Sequence, residues 1–447
     1  MPRLVEALHS AGIGKNLPAS CRALASYAQC SIGQDPLDPL SWSKECAMGT
    51  CSECPELAVD IGEGVDTNSQ LIFKEWKKAP VPKLNEKGVR REIFSLHNTS
   101  CTMEDGLELL KCRVKELKGH IYTAYNQWEA KRIMEHNIKP GSLLILDDYQ
   151  QNLTIELGST PTSSVYGANQ TNVMVFPAVL YYKREQDNKR SKASVTFVSD
   201  DLNHDHQQVW RMEARAVEIL KDKTGLEFES LVRVSDGCGA QFKSRFCVAD
   251  LCKAGERILG KSEADAKFVY FESNEGKGES DTRGSMFKMR SERMVLHDHN
   301  LVITSAKQLV QALNNLPPES TDLYDFTIIE EFPALERIRA QDRAKVKLAG
   351  IRSLHQISFS TAGLKTSTLS CLSCARLGSE CVLCSQKLIP IPMDKLKQML
   401  VKEKSDTDEE QNVEEIEERF EINESAELLE QSDVEGEHDN EEVSYFL

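Results

Sequence analysis

The stretch 142–152, SLLILDDYQQN, constrains the fold more than any other part of this chain. Leu143, Leu144, Ile145 and Leu146 form an unbroken aliphatic run behind Pro140-Gly141. The run is too short for a typical helix, so it reads as a central strand buried on both faces. It ends in two carboxylates, Asp147 and Asp148. An acid delivered at the edge of a buried strand costs free energy unless it is ion-paired, hydrogen-bonded or bound to a metal. An ordinary strand-to-turn aspartate is the simplest reading, and a metal-binding edge is the alternative.

From Gly141 onward β and α patterns alternate. The runs 172–183 and 193–201 read as strands, with Pro177 marking an edge or bulge. The segment 207–223 places Val209, Met212, Ala216 and Leu220 on one helical face and stops at Thr224-Gly225. A short strand, 231–235, feeds Asp236-Gly237; 242–259 reads as helical, 267–271 as a strand and 282–294 as a helix. Three strands, a helix, a strand, a helix, a strand and a helix is the order of the RNase H-like α/β fold. There the first and fourth strands lie side by side and each brings an acid to the common edge.

That order selects three acids. Asp148 ends the first strand, Asp236 ends the fourth 88 positions later, and Asp281 opens the helix after the last strand. Cleavage and transfer of phosphodiesters use two divalent cations about 3.5–4 Å apart, clamping the attacking and leaving oxygens. Mg²⁺ (or Mn²⁺) is a hard ion that takes carboxylate oxygens and keeps several waters, so few protein ligands suffice. Asp148 is assigned as the bridging ligand, Asp236 to one ion and Asp281 to the other. Each acid alone has a plainer explanation: Asp-Gly is a common turn pair, and Asp281 can cap its helix. Lys243, Arg245, Lys277 and Lys288 lie close to these acids in sequence and are candidate phosphate contacts, with a solvated basic face as the plainer reading. Gly276-Lys277-Gly278 lacks the spacing of an NTP-binding loop.

Cysteine usage points to metal at both ends. The 14 cysteines include Cys371, Cys374, Cys381 and Cys384 in the pattern C-x2-C-x6-C-x2-C, read as a closed structural zinc site. Cys46, Cys51 and Cys54 read as a second zinc site, its fourth ligand open among Cys30, Cys21 and His9; buried packing thiols are the plainer explanation. The net charge of −16 sits in one tail. Residues 401–447 hold 3 Lys and Arg against 19 Asp and Glu, so the preceding 400 are balanced and do not exclude a nucleic-acid partner. No apolar window reaches the roughly 18 residues a membrane helix needs, and no leader opens the chain, so a soluble, non-secreted protein is expected.

The remaining organisation is a cysteine-rich region over 1–60 and a helical linker region over 61–140. The latter has a weakly ordered link through Pro80 and Pro82 and helices over 103–119 and 121–136. Tyr122, Tyr125 and Trp128 on the second read as core packing. The core spans 141–300 and a helical extension 301–347, where 335–347 carries Arg337, Arg339, Arg343, Lys345 and Lys347 and can track a nucleic-acid backbone or form an exposed helix face. A small β/zinc element over 348–390 and an acidic, disordered tail over 391–447 complete the chain.

Several motifs carry a resemblance. DDYQQN (147–152), SDDLNHD (199–205), SDGCGAQFKSR (235–245) and FESNEGKGESDTRG (271–284), with GIRSLHQISF (350–359) before the cysteine cluster, resemble animal transposon-derived proteins with an RNase H-like, DDE/D-type transposase core. The family has D-F-x-E-N in the first motif and S-H-G-K-G-x-x-D-G-x-G-G in the last. Asp148, Asn152, Gly276, Lys277, Gly278, Asp281 and Gly284 match; Tyr149, Gln151, Glu275 and Thr282 depart. The resemblance implies Mg²⁺-dependent cleavage and transfer of DNA in the nucleus, in a possible homo-oligomer. The departures at Glu275 and Thr282 keep open a retired transposase that binds DNA or chromatin through its zinc modules. A nuclease acting on RNA or hybrids is a third reading.

Overall fold

The computed structural model describes residues 2–384, apart from 19–20, 28–37, 55–56, 85–89, 156–170, 185–187, 273–277, 298–300, 318–322 and a few shorter internal gaps. Cys30, Glu275, Gly276, Lys277 and the acidic tail lie outside the described residues. Two compact units result, one up to Asn126 and the other from Gln127 onward.

In the first unit, strands β1 (Gln70–Leu84) and β2 (Arg90–Thr102) form a two-stranded antiparallel hairpin where a weakly ordered link was expected. The signal lay in the period-2 spacing of Leu71 and Phe73. Prolines do not prevent it, because a two-stranded ribbon consists of edges; the register shifts between Pro80 and Leu84. Leu71 and Phe73 pack with Leu4, Val5 and Leu8 of helix α1 (Pro2–Ser10) and with Leu110 and Val114. The last two belong to α4 (Met103–His136), one continuous 34-residue helix in place of the two predicted. Gly119 lies within it. Tyr125 and Trp128 on α4 are exposed rather than packed in the core, at 38% and 51%.

The second unit is a mixed α/β body around a mixed sheet. Its strands are β3 (Ser142–Asp147), β4 (Gln150–Ile155), β5 (Thr171–Lys183), β6 (Arg190–Ser199), β7 (Ser230–Ser235), β8 (Asp265–Tyr270), β9 (Thr327–Glu331), β10 (Gln356–Ser360) and β11 (Gly363–Ser367). Their spatial order is β11-β10-β8-β7-β3-β5-β6-β9, with β4 hairpinned onto β5. The pairs β3–β7, β7–β8 and β6–β9 are parallel, and β3–β5, β5–β6, β8–β10 and β10–β11 are antiparallel. The short β4, directly after the two acids, was not anticipated.

Both faces of β3 are covered, which explains its unbroken aliphatic run. Leu143 and Ile145 pack against Val209, Met212, Ala216 and Leu220 of α5 (His206–Thr224). Leu144 and Leu146 face Ile138, Val179 and Val234 on the other side. Each fully buried aliphatic contributes about 1.5–3 kcal/mol, and the four together hold the strand inside. Helix α5 is set by Asp205, which accepts from the Gln208 N–H, and by Gly225, whose φ of 68° closes the helix in the left-handed region. Helices α6 (Arg245–Leu251), α7 (Glu279–His297) and α8 (Ala306–Asn314) follow, and Phe287, Met294, Leu309 and Leu313 of α7 and α8 pack onto β4 and β5.

Beneath the sheet lies a buried ionic group. Asp147, Glu213 and Arg233 are all essentially inaccessible. Arg233 Nη1 stands 3.4 Å from Glu213 Oε1, and the guanidinium lies 3.4 Å over the Phe268 ring. Burial, and after it the Glu213 carboxyl, push the Asp147 carboxyl well above the ordinary carboxylate range. The guanidinium is ion-paired with Glu213, while neither Asp147 oxygen has a hydrogen-bond partner. Removing it by Arg233→Met is expected to cost about 3–5 kcal/mol in urea denaturation, since the buried Glu213 carboxylate loses its counter-charge. The triple variant D147N/E213Q/R233M is expected to recover most of that loss; a triple no more stable than the single would exclude this account.

Candidate functional site

The register of the two central parallel strands positions the first two acids. Ser142 stands opposite Ser230 and Leu146 opposite Val234, an offset of 88 residues that also separates Asp148 from Asp236. Both aspartates therefore occupy the equivalent place just beyond the carboxyl ends of adjacent strands. Side-chain alternation fixes their face. Leu143, Ile145 and Tyr149 belong to the cluster under α5, and Leu144 and Leu146 to the opposite one, so Asp148 follows Leu146. In β7, Val234 shares the Leu146 cluster, and Asp236 follows it two residues on. Asp147, one position earlier, takes the other face and joins Arg233.

The third acid reaches the same side by another route. Asp281 lies in the first turn of α7, where its Oδ2 accepts from the Gly278 N–H at 3.1 Å. Its Oδ1 accepts from Gln150 Nε2 at 3.2 Å, and Gln150 follows Asp148 by two positions. Gly278 sits so close to the sheet that a Cβ there would lie 3.2 Å from Leu146 Cδ2. At Gly284 a Cβ would come within 2.3 Å of the Gln150 side chain, so α7 crosses Gln150 at a distance only glycine permits. Among the described residues, however, the groups of three or more His, Cys, Asp or Glu with all ligand atoms within 4.8 Å are the two cysteine clusters; the three aspartates do not form such a group.

A further polar network lies beside Asp236. Glu272, just past β8, accepts from His355 Nε2 at 2.9 Å, while His355 Nδ1 meets the Thr368 carbonyl at 2.9 Å. Gln127 donates to the carbonyls of Tyr270 and His355 and accepts from the Ser370 N–H. Lys243 belongs here too. It is buried, donates to the Arg352 carbonyl at 3.1 Å and lies 5.1 Å over the Tyr270 ring. Burial lowers its pKa, opposed by Glu272 and Asp236. A lysine so enclosed braces the strand ends and does not face a phosphate backbone, which corrects the expectation from sequence. Lys288 is half-buried, and Arg245 is exposed, 5.2 Å over the Phe246 ring.

In the basic run after Leu335, Arg337 and Arg343 are committed internally, Arg339 and Lys345 are exposed, and Lys347 lies outside the described residues; the described residues of the run show no helix. Arg337 pairs with Asp201 and Asp205, and Arg343 lies 4.0 Å over Phe246 and 3.9 Å from Asp250. Asp201 and Asp205 therefore fasten this segment. His204 stacks on Tyr149 at 4.3 Å and bonds the Asn152 side chain at 2.8 Å, tying together two of the motifs.

The thiol clusters are compact. Cys371, Cys374, Cys381 and Cys384 have all ligand atoms within 4.8 Å of one another, as do Cys46, Cys51 and Cys54. In the first, Cys371 precedes helix α9 (Leu372–Leu377), Gly378 ends it with φ 61°, and the chain returns so that the Cys381 N–H reaches Cys374 Sγ at 3.2 Å. The Cys371 and Cys381 sulfurs are 3.8 Å apart. That matches the edge of a tetrahedron with metal–sulfur bonds of about 2.3 Å. The backbone N–H of Cys384 brings the Cys381 thiol down to about 7, into the range where the ligand form is populated. Burial and the neighbouring Cys371 push Cys384 upward, because four thiolates do not crowd together without a cation. In the second, Cys46 lies on α3 (Lys44–Ala47), capped by Ser43. Both clusters can hold a metal such as zinc.

No curated protein matches this chain in sequence. A family model described as a domain of unknown function, DUF8701, matches residues 127–371, from the first residue of the second unit to the first ligand of the four-thiol cluster. That span is more than half of the 447 residues, and the chain belongs to this family.

Proposed function

We propose that the unit from Gln127 is an RNase H-like, DDE/D-type transposase core that cleaves DNA with Mg²⁺ or Mn²⁺ and joins the freed 3′-hydroxyl to target DNA. The observation that carries the reading is the shared 88-residue offset, which sets Asp148 and Asp236 at equivalent ends of neighbouring parallel strands. The strand order β8-β7-β3-β5-β6, with β3 parallel to one neighbour and antiparallel to the other, supports an RNase H-like assignment. Asp281 comes onto the same side through Gly278 and Gln150.

The donor set suits a hard cation: carboxylate oxygens at a partly exposed sheet edge. Divalent ions bound there would supply the electrophilic clamp on the attacking and leaving oxygens. Asp148 would bridge them, with Asp236 and Asp281 taking one each. Gln150 orients the Asp281 carboxylate, and buried Lys243 and the Glu272–His355 pair hold the neighbouring strand ends in place. The DNA partner implies a nuclear location, and the thiol clusters are assigned as zinc sites that stabilise their local folds.

A second reading, a retired transposase that binds DNA or chromatin through its zinc modules, is favoured by Glu275 and Thr282, where the resembled family has His and Gly. Metal-dependent nicking of supercoiled plasmid separates the two. The full chain is expected to nick in Mg²⁺ or Mn²⁺, and Asp148→Asn or Asp236→Asn to slow it about 100-fold or more, the cost of losing an electrostatic stabiliser. Nicking that continues unchanged in both variants rules out the catalytic assignment; zinc binding without nicking selects the retired form.

The zinc assignment has its own test. Cys374→Ser is expected to remove about one equivalent of bound zinc, measured by elemental analysis, and Cys51→Ser to act independently on the other cluster. Unchanged zinc content in either variant overturns that site.

A further inference from the structure

The hairpin of β1 and β2 carries one covered face and one open face. On the covered face Leu71 and Phe73 are buried, and Glu75 is held by Arg113, Lys77 and Thr99. On the open face the cross-strand pairs are Ile72–Ser100, Lys74–Asn98, Trp76–Leu96 and Lys78–Phe94. Their large apolar members are 60% (Ile72), 45% (Trp76), 63% (Phe94) and 38% (Leu96) exposed. No acid occupies these eight positions, and the next pair of the same series is Pro80–Glu92. Among the described residues neither Lys74 nor Lys78 has an ion-pair partner, and Lys78 Nζ rests 5.5 Å from the Phe94 ring centre. The segment 70–102 contains 7 Lys and Arg against 3 Asp and Glu in a chain whose first 400 residues are otherwise balanced.

We propose that this open face is a duplex-DNA-docking ribbon, the element that brings substrate to the chain. The proposal rests on the transposase-like reading for its choice of DNA, and on the ribbon's own charge and shape for its location. A two-stranded ribbon fits a major groove about 12 Å wide. At about 3.3 Å per residue, strands of 13 to 15 residues reach along more than one turn of duplex. Lys74 and Lys78 lie four residues apart on one strand, on the same side, which suits phosphates along one backbone. Trp76 and Leu96 between them offer apolar contact to sugars and thymine methyl groups. An apolar stripe alone would equally suit a second copy of this chain. The excess of cations in the ribbon, 7 Lys and Arg against 3 acids over 70–102, favours a polyanion.

Binding of the full-length chain to a fluorescein-labelled duplex of mixed sequence, followed by anisotropy across a salt series, tests the proposal. The double variant K74E/K78E is expected to bind at least tenfold more weakly, with the slope of log affinity against log salt reduced by about 2. Trp76→Ala is expected to weaken binding while leaving the slope unchanged. Because all three positions are exposed, thermal unfolding should match the parent, and K74Q/K78Q should show the same trend with a smaller loss. Parent-like affinity and slope in K74E/K78E overturn the proposal. So does a change in particle mass on gel filtration in Trp76→Ala with DNA affinity intact, which assigns the face to a second copy. An Asp148→Asn chain that keeps the parent affinity and slope separates the two ideas: the ribbon is then judged on binding alone, whatever happens to nicking.

Discussion

The parallel pairing of β3 with β7 is the constraint on which the second unit depends. Strand side chains alternate strictly, so a slip of one residue would exchange the two faces along the whole pair. At the end of β3 that exchange has chemical consequences. Asp147 and Asp148 are adjacent in sequence and opposite in fate, one enclosed with Glu213 and Arg233, the other following Leu146 to the edge beside Asp236. A slipped register would bring Asp148 to the face under α5 and would carry Asp147 out to the edge. The register thus decides which acid is enclosed and which is left at the edge.

The same economy appears around the strand ends. The carboxyl ends of β3, β7 and β8 open onto chain that would be poorly supported by hydrogen bonding within the sheet. Lys243, Gln127 and His355 fill that role from distant parts of the sequence, each reaching a backbone carbonyl near the edge. Asp201 and Asp205 do likewise for the segment after β9 by holding Arg337. Side chains that look like surface charges in the sequence are therefore the clasps of the irregular segments, where backbone pairing runs out.

Much of the second unit was legible because its strands and helices have strong periodicity. Burial on both faces produced the aliphatic run of β3, and Asp205 with Gly225 bounded α5 as the residue types suggest. The order of these elements also put Asp148 and Asp236 just past neighbouring strands, as the β3–β7 register has them. What escaped is what depends on distant partners. The Glu272–His355 contact joins residues 83 positions apart, and Lys243 turns inward only because Arg352 and Tyr270 enclose it. The β1–β2 hairpin escaped for a different reason: two prolines and many charges suppress strand propensity, yet an isolated ribbon demands little of its outer edges. The thiol spacing, by contrast, was read directly, since short C-x2-C steps leave few ways to arrange four sulfurs.

Charge is distributed by location, and that distribution links the parts. The first 400 residues balance, the ribbon is cationic, and the last 47 residues carry the entire negative excess. Several cations of the folded body are committed inside it: Arg233, Arg337 and Arg343 face carboxylates and rings, and Lys243 faces carbonyl and ring. Others, among them Arg245, Arg293 and Arg339, are exposed and would attract a polyanion as the ribbon lysines would, so the ribbon is set apart by the apolar residues beside its lysines. The attraction is electrostatic and so falls steeply with salt, whereas the apolar residues interleaved with those lysines act at contact and are insensitive to it. A ribbon with both kinds of residue on one face can gather a duplex at long range and hold it at short range. Register within the second unit is a separate matter, set by the alternation of β3.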